Sequence, residues 1–374
     1  MADQPDPAAP IRVGIVGASP TRGWALSAHL PALAGLPGFT VTAVSTTRQE
    51  TADETAARFG VPHAFHDAAR LAASDDVDLV VVSVKVPYHS ELTAIALDAG
   101  KDVYTEWPLG ASTAQAQELT TAAAARGVRH VIGLQGRKGP IVNYVRHLVA
   151  SGYVGRVLSV SMSVVSAGRG GTTVAPDRIW ASDRDNGATL LTVSAGHSLD
   201  TLRYALGEIT DLSARVVTLD PRATVIGTSE TITVTSPDNV LVQGRLASGA
   251  VLSAQFLSAP GGSGSSWTIY GEDGVLEIAG SGLPHYADAG LTLRGAQGTG
   301  ALEPLTVPAS YDPVPAAVPD GPARNVAGVY LALADAIAAG TPADPGFTTA
   351  LSLHRLLDAI QASSDRGALV TVSA

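Results

Sequence analysis

The chain contains no cysteine. Disulfides, thiolate metal sites and a thiol nucleophile are therefore excluded. Lysine is almost missing too. Of 24 basic residues only Lys85, Lys101 and Lys138 are lysines. Chemistry that needs an amine has those three to draw on. Charged residues make up only 16%, and the formal net charge is −10. Binding nucleic acid without sequence preference needs clustered cations to neutralise phosphates, so this composition argues against it. No apolar run reaches the roughly 18 residues of a membrane span. The opening "MADQPDPAAP" has no charged n-region and no apolar core. It reads as a loose tail over residues 1–10 rather than a secretory leader. The expectation is a soluble cytoplasmic protein with no nucleic-acid or membrane partner. A protein partner stays open.

What is present is enough apolar sequence for two domains: 45% of 374 residues are hydrophobic. The first part alternates strand and helix signals. "IRVGIVG" and "TVTAVS" are β-branched runs, and "VDLVVVSV" is an unbroken apolar run of the kind found in strands buried on both faces. "ETADETAARFG" and "SELTAIALDAG" are helical and end on glycine. "STAQAQELTTAAAARG" is a helix with Ser112 or Thr113 as N-cap. This alternation predicts an α/β domain with a doubly wound parallel sheet over residues 11–136. Beyond it, "RVLSVSMSVVSA", "LSARVVTL" and "NVLVQGRLASGAVLSAQFLS" are strands punctuated by turn pairs. They predict an α+β domain over residues 137–374 with a large open, mostly antiparallel sheet. Two helices close the chain and are free to pack on either domain.

"VGIVGASPTRGWA" follows the first strand and opens a helix. A dinucleotide fold needs glycine there for a tight turn, for close approach of backbone to pyrophosphate, and for helix–strand packing. Gly17 suits the first role. Ser19 stands where the second glycine is usual, and Gly23 arrives one residue late. Arg22 and Trp24 flank it. An ordinary βα turn without ligand is the alternative reading. After the second strand come Thr46, Thr47 and Arg48, with no acid at the strand tip. Hydroxyls and a guanidinium suit a 2′-phosphate, which an acid would repel, so NADP is favoured over NAD. A solvated helix start is the alternative there. Val84 closes the buried "VDLVVVSV" run and Lys85 and His89 follow it, at the sheet edge where a cofactor would lie.

Taken together, "VGIVG", His29-x-Pro31-Ala32-Leu33, "ARFG", "AGKDVYTEWPL", "SGYVGRV" and "GHSLDTLRYALGE" resemble the Gfo/Idh/MocA oxidoreductase family over nearly the whole chain. "GASPTRGWALSAHLPAL" and "LQGRKGP" are most similar to the subgroup containing the yeast galactose-pathway repressor. That repressor binds a dinucleotide and an activator protein instead of working as a dehydrogenase. The resemblance implies a Rossmann domain, a second domain whose open sheet often mediates oligomers, and a small-molecule substrate. A homo-oligomer, dimer or tetramer, is expected through that sheet. The family's usual Glu-Lys-Pro appears as Glu106, Trp107 and Pro108. Of its other usual signature, Asp-x-Gly-x-x-x-His or Asp-x-Gly-x-His before a helix, His197 and Asp200 match, and Val193 replaces the acid four residues before His197.

Two proton-handling groups are thus missing. Indole is a donor only, so Trp107 cannot replace the lysine's proton chemistry, though it can wall a ring-shaped substrate. Imidazole can carry the proton, which makes His197 the candidate acid/base; a capping or structural histidine is the alternative. Lys85 and Lys138 are candidates to supply the missing cation, with a cofactor contact or a salt bridge as the plainer roles. Arg137, Trp180 and Asp183, with Trp107, Lys138 and His197, are candidates to meet a carbohydrate-like substrate; for the acidic turn at Asp183 and Asp185, solvation is an equal alternative. No metal-ligand spacing stands out. The leading expectation is an NAD(P)-dependent oxidoreductase acting on a sugar, cyclitol or other small polyol or carbonyl compound. The alternative is a non-catalytic dinucleotide-binding regulator with a protein partner; redox-neutral elimination or epimerisation comes third.

Overall fold

Strand β1 (Ile11–Val16) ends in four buried residues, and its backbone lies between β2 (Phe39–Ser45) and β4 (Leu79–Val82). The computed structural model describes residues 9–166, 172–259, 262–281 and 290–372. Most of the expected tail at 1–10 lies outside them. With β3 (His63–Phe65), β5 (Asp102–Thr105) and β6 (His130–Ile132) these strands form a six-stranded sheet in the order β3-β2-β1-β4-β5-β6, parallel throughout. Every residue of β4 is buried, as its unbroken apolar run requires of a strand covered on both faces. Strand order reverses at β1 and β4, and a ligand crevice forms beyond the carboxyl ends of strands at such a point.

The helical stretch after β1 is built in two pieces. A π-helical turn, Ala25–His29, leads into α1 (Leu30–Ala34). Helix α2 (Gln49–Phe59) ends on Gly60 in the left-handed conformation. Strand β3 and the short α3 (Ala68–Ala72) were not foreseen; neither is long enough to show a period. Helices α4 (His89–Asp98) and α5 (Thr113–Arg126) complete the alternation. Ser112 caps α5, its hydroxyl accepting the Gln115 N–H at 3.3 Å. The segment up to Gln135 and residues Val314–Leu351 form one compact unit. Within it, Val326, Val329, Tyr330 and Leu333 of helix α8 (Pro322–Ala339) share a core with Ile15, Leu79 and Tyr104.

Residues Gly136–Pro313 and Ser352–Ala374 form the second unit. Helix α6 (Pro140–Ala150) leads to β7 (Val157–Ser166), then β8 (Thr173–Val174). A second π-helical turn, Leu190–Ala195, enters α7 (Gly196–Leu206). The remaining strands are β9 (Ile209–Val217), β10 (Arg222–Val225), β11 (Thr231–Thr233), β12 (Asn239–Leu246), β13 (Val251–Ser258), β14 (Gly264–Gly271), β15 (Gly274–Ser281), β16 (Leu291–Gln297), β17 (Glu303–Pro304) and β18 (Val370–Thr371). Nine of the unit's strands make one sheet, β17-β16-β15-β14-β7-β13-β12-β9-β18, antiparallel except for the β7–β13 pair. Strands β8, β10 and β11 make a small second sheet. Alternation is plain in β13: Leu252, Ala254 and Phe256 are buried, while Val251, Ser253 and Gln255 face out. The 190–195 turn packs on β7, β12 and β13. Near the sheet edge, Ser363 and Ser364 of α9 (Phe347–Arg366) accept the N–H groups of Ala214 and Val216.

Candidate active site

At the carboxyl end of β1 the chain turns at Gly17 with φ of +96°. A Cβ there would stand 2.2 Å from the Ser83 carbonyl oxygen and 2.7 Å from Val84 Cγ1. Both the backbone conformation and the close approach of β4 therefore demand glycine. The Gly17 N–H donates to Ser45 O at 2.8 Å, tying the turn to the end of β2. Gly23 also has φ of +96°, but nothing lies within 4 Å of a Cβ there. Its need is conformational and its surroundings are open. Ser19 accepts a long bond from the Thr21 N–H, 3.4 Å, and Arg22 is exposed. Trp24 keeps its indole N–H shielded from solvent with no hydrogen-bond partner among the described residues. A cradle with no room for a Cβ, followed by a helical turn carrying an unspent donor, fits a dinucleotide phosphate.

Beyond β2, Thr46 is turned inward. Its hydroxyl donates to Arg48 O at 2.8 Å and lies 2.9 Å from Thr51 Oγ1. Thr47 and Arg48 are exposed, with Arg48 extended at the N-cap of α2. Of the three residues expected at the ribose, these two remain outward. Beyond β4, Val84 lies beside Gly17, and Lys85 and Tyr88 are exposed. His89 is 1% exposed and both ring nitrogens face backbone carbonyls: Nδ1 to Pro108 O at 2.6 Å, Nε2 to Val84 O at 3.1 Å. Burial, the dominant influence, holds its imidazole below the ordinary range, against the pull of those carbonyls. His89 therefore bridges the loops after β4 and β5 from behind.

Glu106 directly follows β5 and is buried. Its Oε1 lies 3.0 Å from His29 Nε2, off the N–H axis, so the contact is chiefly electrostatic. His29 Nδ1 is 2.8 Å from the Tyr330 hydroxyl. Burial and then the Glu106 charge push the Tyr330 and Tyr104 hydroxyls well above the usual range, so both stay protonated beside His29 and Glu106. Gly133 completes this buried set: a Cβ there would lie 2.4 Å from Glu106 Oε2. Glu106 is thereby an anchor that fixes where the next residues leave the strand. Trp107, joined to Pro108 by a cis peptide, is 5% exposed.

In the second unit, the turn before α7 begins with a capping box between Thr189 and Thr192. Val193, where an acid would stand, is buried. His197 is the second residue of α7 and 6% exposed; its carbonyl accepts from Thr201 Oγ1 at 2.9 Å. One turn on, Asp200 takes both ends of the Arg137 guanidinium, at 2.8 and 2.5 Å, with Asp200 1% exposed. Tyr204, one further turn along the same face, donates to Asn143 Oδ1 at 2.8 Å and has the Arg137 guanidinium carbon 5.2 Å from its ring centroid. Asn143 in turn donates to Arg137 O at 3.0 Å. Asp200 and Tyr204 thus hold Arg137, and Lys138 after it is half-buried.

Within each unit, then, expected residues gather as follows. Gly17, Ser19, Val84, His89, Trp107 and Pro108 frame one sheet edge, with Lys85 and Arg48 exposed around it. Arg137 pairs with Asp200 of α7, the helix that carries His197 at its start. Trp180 is half-buried and its carbonyl accepts from Asn186 Nδ2. The exposed Asp183 carboxylate accepts the Asp185 N–H at 3.1 Å and caps its own turn. Sequence reasoning missed the roles of Tyr104, Tyr330, Gly133 and the Arg137–Asp200 pair. None sits in a local pattern; each is defined by a partner far along the chain. Among the described residues no group of His, Asp and Glu could hold a metal, and no helix is long and apolar enough to cross a membrane.

Residues 11–134 match the family described as oxidoreductase family, NAD-binding Rossmann fold, and residues 140–280 match the C-terminal domain of Gal80p. The dehydrogenase AclE of Aspergillus oryzae is 34% identical over 290 residues, 74% of this chain and 79% of that protein. The galactose/lactose metabolism regulatory protein GAL80 of Saccharomyces cerevisiae is 33% identical over 267 residues, 65% of this chain but only 60% of its own length. Among solved structures, a super-repressor mutant of Saccharomyces cerevisiae Gal80p has a TM-score of 0.83 at 26% identity, covering 98% of both chains. Levoglucosan dehydrogenase in complex with NADH and levoglucosan has a TM-score of 0.82, covering 97% of this chain and 100% of that one; at 22% identity the likeness is one of fold. The glycine cradle after β1, the anchored Glu106 directly after β5 and His197 at the head of α7 therefore have a shared source: the chain belongs to the Gfo/Idh/MocA oxidoreductase family.

Proposed function

We propose that the protein is an NAD(P)-dependent oxidoreductase acting on a sugar, cyclitol or other small polyol or carbonyl compound. The dinucleotide is held at the Gly17 turn, and His197 is the proton carrier. A bound nicotinamide supplies the hydride acceptor. In the oxidising direction the alcohol carbon gives up hydride, the hydroxyl proton passes to an imidazole nitrogen of His197, and a carbonyl remains. Trp107 contributes an apolar wall in place of the missing lysine. Lys138 and Lys85 are the candidates to polarise the oxygen. NADP is the preferred cofactor, because Arg48 and Thr47 are exposed after β2 and no acid stands at the strand tip in sequence. A cytoplasmic location goes with this reading.

The observation that carries the proposal is Gly17, where fold and phosphate chemistry make the same demand. It is tested by mixing the protein with NADP or NAD and a panel of sugars, cyclitols and aldehydes, and following the reduced-nicotinamide absorbance. Turnover with at least one compound is expected. Firm cofactor binding without turnover on any would favour the second reading, a dinucleotide-binding regulator with a protein partner. That reading is favoured by the loss of both Lys and Asp at Trp107 and Val193 and by the likeness to the galactose/lactose regulatory protein. We further propose a homo-oligomer through the outward face of the nine-stranded sheet, where Leu241, Val251 and Tyr270 are exposed. Sedimentation showing a monomer at micromolar concentration would reject it.

A further inference from the structure

We infer that Thr55 and Arg58 of α2 are positioning residues for the dinucleotide diphosphate, acting by turning carbonyls of the glycine turn away from it. The inference rests on the dinucleotide reading above. The turn from Gly17 to Gly23 is one residue longer than the usual glycine spacing, and it has a serine where the middle glycine would be. A longer turn has more carbonyl oxygens to orient, and each one aimed at a phosphate would repel it. Two of them are drawn to α2. Ala18 O lies 2.8 Å from Thr55 Oγ1, whose single proton it shares with Thr51 O at the same distance, and Pro20 O accepts from Arg58 Nη1. In a planar trans peptide the carbonyl and the next N–H point in opposite directions. The N–H groups of Ser19 and Thr21 therefore face away from α2. Among the described residues they make only a contact with Gly17 O at 3.0 Å and a long one with Ser19 Oγ at 3.4 Å, bonds that an anion can replace.

The same face of α2 reaches further. Thr51, one turn before Thr55, donates to Arg48 O at 2.9 Å and lies beside Thr46 Oγ1. Thr51, Thr55 and Arg58 follow helical i, i+4, i+7 spacing. One stripe thus fixes the glycine turn and the segment after β2 in a single register. Thr55 is fully buried, but Arg58 is exposed, so a change at Arg58 spares the core.

The test uses Thr55→Val, which keeps shape and loses the hydroxyl, with Arg58→Met and Arg58→Lys. The probes are ADP-ribose, which carries the diphosphate, and adenosine, which does not. Dissociation constants are measured by calorimetry or ligand NMR, alongside the thermal midpoint. ADP-ribose should weaken about tenfold in Thr55→Val and Arg58→Met, adenosine should stay within about twofold, and Arg58→Lys should restore most of the loss. ADP-ribose binding unchanged in both variants overturns the inference. So does an equal weakening of both probes, which is what a general structural role would produce. If the wild-type protein does not bind ADP-ribose, the dinucleotide reading itself falls, and the inference with it.

Discussion

Gly17 is the residue at which the fold and the ligand cannot be separated. Alanine there must adopt φ of +96° and place its Cβ against Ser83 O. We expect Gly17→Ala to cost about 2 kcal/mol of stability, from backbone strain and overpacking, and to weaken NADPH at least tenfold. Urea unfolding and a fluorescence titration check the two parts; an unaltered NADPH affinity would contradict the assignment. Arg48→Ala should weaken NADPH about tenfold by removing a charged partner of the 2′-phosphate and leave NADH nearly unchanged. Equal losses for both cofactors would remove the NADP preference. At this scale much was legible in sequence, because Gly17 and His197 keep local patterns and Trp107 departs from one. Thr46 was not: its hydroxyl turns back to Arg48 O and Thr51, a choice set by the start of α2.

At the scale of elements, both histidines of interest follow or close a π-helical turn. His29 ends the turn at 25–29, and His197 sits two residues past the turn at 190–195. Such turns insert a residue into a helix and recur at functional sites. Apolar spacing predicts helix in both stretches but cannot distinguish π from α over a single turn. Beyond the second turn, α7 is held by the buried Arg137–Asp200 pair. We expect Asp200→Asn to destabilise the protein by about 3 kcal/mol, since it leaves the guanidinium buried without its charge partner, whereas Arg137→Met with Asp200→Leu should recover part of that loss. Urea titrations of the three variants check this; an Asp200→Asn variant as stable as wild type would contradict it. The pair was invisible in sequence because its members are 63 residues apart.

For the whole molecule, buried histidines set how stability depends on pH. Burial lowers His354 to about 4 from an ordinary 6.5. Burial also lowers His89 and His130, and His130 Nδ1 already accepts the Phe347 N–H at 3.0 Å. The unfolded chain binds protons at these sites that the folded chain refuses. Stability is therefore fully present above pH 6.5 and falls as pH drops toward 4, with His354 contributing about 3 kcal/mol at most. Urea midpoints between pH 7.5 and 4.5 should fall with acid, and His354→Gln should flatten the fall. A slope unchanged by that substitution would contradict the assignment. The parallel sheet and the open sheet were both legible in sequence, from alternation and turn spacing. Which unit each closing helix joins was not: the apolar faces of α8 and α9 specify burial without naming a partner.

The central claim is that this fold still performs hydride transfer, with His197 carrying the proton that a lysine would otherwise handle. Steady-state reduced-nicotinamide formation from one turned-over polyol, compared between wild type and His197→Gln, tests it most directly. The expected result is turnover in the wild type and a fall in kcat of about a hundredfold or more in the variant, with NADPH affinity unchanged. Full activity in His197→Gln, or no turnover in a wild-type protein that binds NADPH firmly, would contradict it.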